Sequence, residues 1–99
     1  MNAATNRFLE AADHAAEYLR SLGARRVWLF GSLAQGCAPD SRSDIDLTVE
    51  GLPEDRYFEA VGVLLGQMPC SVDLVEMERA PAALRENILR FRRELPRAH

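Results

Sequence analysis

With 99 residues, 47% of them hydrophobic and 27% charged, the chain suffices for one domain, residues 1–99, which buries only roughly 60 to 65% of its extended surface. No apolar run is long enough to span a bilayer, and the net charge of −3 argues against a sequence-independent nucleic-acid binder, although all 12 basic residues are arginine and several follow Arg79. Met1 to Arg7 lack the basic start and apolar core of a secretory signal, and Cys37 and Cys70 follow no metal-ligand or disulfide-framework spacing, so a reducing cytoplasm is the expected compartment.

Phe8, Ala12, Ala15, Leu19 and Leu22 recur at spacings of four and three, which predicts an amphipathic helix over about residues 4–22, with Gly23 placed to end it. Arg26 to Phe30 is a short, mostly apolar run suited to a buried strand, and it delivers the chain directly into Gly31-Ser32. Pro39, Asp40 and Ser41 then form a loop before a second strand from Asp44 to about Glu50. Phe58, Val61, Leu65 and Met68 repeat at helical spacing from about Glu54 to Met68, where Pro69 forbids continuation. Ser71 to Glu76 is the third strand, and beyond Ala80-Pro81 the stripe Leu84, Ile88, Phe91, Leu95 predicts a last helix with arginines around it.

The chemistry concentrates between these elements. Alternation along a strand sends Asp44 and Asp46 to one face while Ile45, Leu47 and Val49 go to the other. Two such carboxylates lie about 7 Å apart along the strand and repel, and a cation between them would reverse the sign. Mg²⁺ commonly takes one or two carboxylates and completes its shell with water and substrate phosphate, so Asp44 and Asp46 supply the minimum and Asp73, on the third strand, could supply another ligand. Three carboxylates can hold two ions, the arrangement that serves phosphoryl and nucleotidyl transfer. Gly31 lets a backbone approach a triphosphate, Ser32 offers donors to phosphate oxygens, and Gly36 would let the turn end in a left-handed conformation.

Taken in order, Val27-Trp28-Leu29-Phe30-Gly31-Ser32-Leu33-Ala34, Ser43-Asp44-Ile45-Asp46-Leu47 and Val72-Asp73-Leu74-Val75 resemble the minimal nucleotidyltransferase (MNT) domain of the DNA polymerase β superfamily, over about residues 8–90. The resemblance implies an α/β fold, a small mixed sheet of about three strands flanked by helices in the order α-β-(short α)-β-α-β-α. It implies ATP or another nucleoside triphosphate as donor, two Mg²⁺ ions on Asp44, Asp46 and Asp73, and a nucleotide held by Gly31, Ser32 and Ser43. Asp73 would also orient or deprotonate the attacking hydroxyl. Minimal members commonly act as antitoxins that transfer AMP to a tyrosine of a HEPN-domain ribonuclease toxin, which implies that toxin as partner in a hetero-oligomer. Gln35 stands where relatives often carry Arg or Lys, so a cationic hold on the triphosphate would come from Arg42 or the partner; the loop from Ser32 to Asp44 is also a residue longer than in many relatives.

Other readings exist for the same residues. Asp44 and Asp46 could be the solvated side of a half-exposed strand that Thr48 and Glu50 continue. His14 is expected on the surface, Trp28 in the core, Cys37 and Cys70 as plain small residues, and the late arginines on a solvated helix face. At the level of the whole protein, a non-catalytic antitoxin that neutralises by binding and a small-molecule transferase of the aminoglycoside type are the alternatives.

Overall fold

A computed structural model describes residues 3–31, 44–68 and 71–95. The first helix, α1 (Ala3–Ser21), ends as the sequence predicts. Gly23 takes φ 116°, its N–H donates to the Arg20 carbonyl at 3.0 Å, and the Ala24 N–H reaches back to the Leu19 carbonyl at 3.1 Å. Those two bonds are a Schellman closure, which needs a left-handed residue where glycine stands.

Among the described residues four strands follow: β1 (Arg26–Phe30), β2 (Ile45–Glu50), β3 (Val72–Glu76) and the two-residue β4 (Arg93–Glu94), ordered β3-β2-β1-β4 in one sheet. β1 runs antiparallel to β2, with Val27 opposite Val49 and Leu29 opposite Leu47. β2 runs parallel to β3, with Asp46 opposite Asp73. The crossover between these parallel strands is a 3-10 turn (Glu54–Arg56) continued by helix α2 (Tyr57–Gln67), as parallel pairing requires. Met68 is already extended, with ψ 147°, the conformation favoured before the proline that follows it.

One face of the sheet carries the larger core. Val27, Leu29, Ile45, Leu47 and Val49 are fully buried against Ala12, Ala15, Ala16 and Leu19 of α1 and Ala60 and Leu64 of α2. The alanines let α1 lie close to the sheet, so a chain this small still builds a contiguous core. The inward face of α2 is not the stripe read from the sequence: Phe58 and Leu65 are 84% and 64% exposed, while Ala60 and Leu64 are buried. This helix is apolar on most of its circumference, so periodicity alone could not choose the face.

The opposite face carries a second cluster in which Phe30 and Met77 pack against Ile88 of helix α3 (Ala82–Phe91). α3 does not run on to Leu95 as its stripe suggests. The chain turns extended at Arg92, whose guanidinium stacks 3.7 Å above the Trp28 ring and pairs with Glu50 at 2.9 Å. Arg93 and Glu94 then pair with β1 as a fourth strand, and Leu95 donates its N–H to the Val27 carbonyl at 2.9 Å and buries its side chain in the larger core. A leucine that stays in register with Ile88 and Phe91 gains less than one that fills this core and closes an open edge of β1.

Candidate active site

The acids meet where β1 ends and β2 and β3 begin. Phe30, Asp46 and Asp73 are successive partners across three strands, and residues directly opposite each other project to the same face. The carboxyls of Asp46 and Asp73 lie within hydrogen-bonding reach of each other. Asp44 precedes β2 and is exposed, yet its charge still acts on Asp46. The structure therefore brings Asp46 and Asp73 into one pair and leaves Asp44 at its rim.

Gly31 closes the site from the β1 side. Its φ is 76°, and an added Cβ would overlap the Asp46 Oδ2 and lie 3.0 Å from the Asp46 Cγ. The backbone here passes over the carboxylate at a distance only glycine permits. Ser32 and Ser43, expected at the nucleotide, lie outside the described residues, as do Gln35, Gly36, Cys37, Arg42 and Cys70.

The face that bears the acids is not a solvated strand side. Thr48, two residues beyond Asp46, is fully buried, and its hydroxyl donates to the Val75 carbonyl at 3.0 Å. Glu50 is half-buried and accepts the Trp28 indole N–H at 3.2 Å. The covering comes from Met77 and α3, a cover that strand alternation alone does not reveal. His14 is exposed and Trp28 buried, as the sequence predicts.

Burial first, then the charge and hydrogen bond of Asp73 and the charge of Asp44, push the Asp46 carboxyl from 3.8 up to about 6. All of these act in the same direction, so the pair is electrostatically unsatisfied by itself. Among the described residues no three His, Cys, Asp or Glu side chains already converge as a metal cage. Two adjacent carboxylates with a third near are nevertheless the donor set from which Mg²⁺ takes one or two ligands, leaving the rest of its shell to water and phosphate.

The sign of the pH effect follows. Between pH 3.8 and about 6 the folded protein holds a proton on Asp46 that the unfolded chain has lost, so the site's contribution to stability falls as pH rises through that window and the penalty is complete above it. After discounting for the half-exposed position, the penalty is roughly 1 kcal/mol. In chelator, the stability gap between wild type and Asp46→Asn should be small at pH 4 and grow to that size by pH 7, as read from denaturant melts; a gap that is constant with pH would remove the repulsion from the site.

A strand ending in glycine over a pair of carboxylates, on a mixed sheet backed by two helices, is the frame of a nucleotidyltransferase. Residues 14–96 match the model of the family described as polymerase beta, nucleotidyltransferase, and the chain belongs to that family. No curated protein matches it. Among solved structures it is similar to a chain of a toxin–antitoxin complex with AMP-PNP, at 24% identity over 96% of this chain and 74% of that one, with a TM-score of 0.67. It is similar also to a chain of a tri-AMPylated HEPN toxin from Shewanella oneidensis in complex with its MNT antitoxin, at 21% identity over 92% and 73% and a TM-score of 0.68. A third, a MntA–HepT toxin–antitoxin complex, gives 21% identity over 96% and 71% and a TM-score of 0.59. At these identities the likeness is one of fold. No described helix is long and apolar enough to cross a membrane.

Proposed function

We propose that the protein is a Mg²⁺-dependent nucleotidyltransferase that moves AMP from ATP to a hydroxyl, a tyrosine in the leading reading, of a partner HEPN-domain toxin, and that it acts in the cytoplasm as the antitoxin of that pair. The observation that carries the reading is the Asp46–Asp73 pair under Gly31, in a chain of the polymerase beta nucleotidyltransferase family. The AMP-PNP complex and the tri-AMPylated toxin among its structural neighbours support the choice of donor and acceptor.

In this reading Asp44, Asp46 and Asp73 hold the metal, and Gly31, Ser32 and Ser43 hold the nucleotide. Bound Mg²⁺ supplies positive charge against the triphosphate and the developing charge of the transition state. The acceptor oxygen bonds to the α-phosphorus, and the bond from that phosphorus to the bridging oxygen breaks. Pyrophosphate leaves with the electron pair, and the hydroxyl proton passes to a carboxylate oxygen of Asp73. Asp73 suits that task because its side chain is exposed while Asp46, beside it, is half-buried.

The test is intact mass of a HEPN-domain toxin after incubation with the purified protein, ATP and Mg²⁺. Addition of AMP is the expected result. An unmodified protein, held in a stable complex with this chain, would instead make it an antitoxin by binding alone.

A further inference from the structure

The sheet has two outer edges, and they differ. β4 is two residues long, and both Arg93 and Glu94 are exposed, so shortness and charge protect that edge. β3 offers five residues, Val-Asp-Leu-Val-Glu, with neither lysine nor proline. The Ile45 N–H donates to the Ser71 carbonyl at 2.9 Å, which sets the parity of the parallel ladder: Asp73 and Val75 turn their backbone groups toward β2, and Val72, Leu74 and Glu76 turn theirs outward. The Leu74 carbonyl accepts the Tyr57 hydroxyl at 3.0 Å. Among the described residues the outward N–H groups of Leu74 and Glu76 meet no partner.

Beside this edge lies a cavity of about 330 Å³, lined in part by Tyr57, Phe58, Leu74, Val75 and Pro81. Phe58 has the greatest exposure of the large apolar side chains described, at 84%. The cavity's other lining residues include Glu54, Glu76 and Arg79, so one arginine, paired with Glu54 and 4.0 Å from Glu76, faces two acids. The surroundings are therefore acidic, with Asp73 exposed at the start of the same strand.

We propose that the outer edge of β3 is a docking line for the acceptor polypeptide, which adds to the sheet as an extended basic segment, sets an apolar side chain into the cavity beside Phe58, and presents its hydroxyl opposite Asp73. Amides repeated at every second residue match the repeat of an extended backbone, about 7 Å, and match neither a compact small molecule nor a polyanion. Cross-strand partners share a face with Cβ atoms about 5 Å apart, so the residue that pairs with Asp73 emerges on the face that carries Asp46. The transfer half of this proposal rests on the reading of the site given above; the docking half does not.

Hydrogen exchange on the intact ¹⁵N-labelled protein, with a HEPN-domain toxin as the probe, separates the two. Addition of that protein should slow exchange of the Leu74 and Glu76 amides by at least about tenfold while leaving Arg93 and Glu94 unchanged. Unchanged Leu74 and Glu76 amides overturn the docking line, whether the complex forms through another face or does not form. Protected amides with no AMP transferred uphold the docking line and sink the transfer reading instead. Phe58→Gln, at a position too exposed to threaten the fold, should raise KM for the acceptor about tenfold with KM for ATP unchanged; an unchanged acceptor KM also overturns the proposal.

Discussion

Asp46→Asn should lower AMP transfer about 10³-fold, roughly 4 kcal/mol of transition-state stabilisation, and at pH 7 in chelator it should raise the melting temperature. The two effects have one origin. Asp46 is held half-buried against Asp73 with Asp44 nearby, and every influence on its carboxyl disfavours the charge. Asparagine keeps the shape and removes that charge, so the fold is relieved of roughly 1 kcal/mol, worth about 4–8 °C in a domain of this size. On the proposed function the same removal would deprive the cation of its central ligand, because Asp46 lies under Gly31 with Asp73 and Asp44 beside it. Steady-state transfer and thermal melts check the pair of signs. Mg²⁺ should stabilise wild type more than the variant, since binding to the folded state alone adds stability by mass action. A variant that loses activity and stability together would mean that Asp46 is a structural acid, and one that keeps its activity would remove the site altogether.

Much of this arrangement is legible in the chain, for identifiable reasons. Strands β1 to β3 are short apolar runs bounded by turn residues, and Gly23, Pro53 and Pro69 punctuate the helices, so local chemistry and global fold agree there. The placement of Asp46 is legible because alternation fixes which side of β2 it takes, whereas Asp44, expected on the same strand, stands just before it. Three features are not. The buried side of α2 is hidden because its apolar residues surround the helix, and only contact with the sheet decides that Ala60 and Leu64 turn inward. The fourth strand is hidden because Leu95 fits the helical stripe of Leu84, Ile88 and Phe91; Pro96 behind it, which disfavours helix in the preceding residue, is the signal that points the other way. The burial of Thr48 is hidden because Met77 and α3, which cover it, come from far along the chain. Tertiary context overrides local pattern in each case.

Gly31→Ala should be the second severe substitution, although it removes no functional atom. An alanine at φ 76° costs about 1 to 2 kcal/mol in backbone strain. Its methyl would also occupy the space of the Asp46 carboxylate. The far end of a side chain can move, so the conflict is resolved by driving Asp46 out of its place beside Asp73 rather than by unfolding. A displacement on the order of 1 Å at a catalytic group costs about 10²-fold in rate, and a melting temperature lower by several degrees should accompany it. A double-mutant cycle distinguishes the two parts of the loss. In an Asp46→Ala background the carboxylate is gone, so adding Gly31→Ala should cost only the backbone strain. If the alanine is equally destabilising with and without the Asp46 carboxylate, Gly31 serves the turn alone; a smaller cost in the Asp46→Ala background makes the glycine the residue that lets the strand end close over the acid.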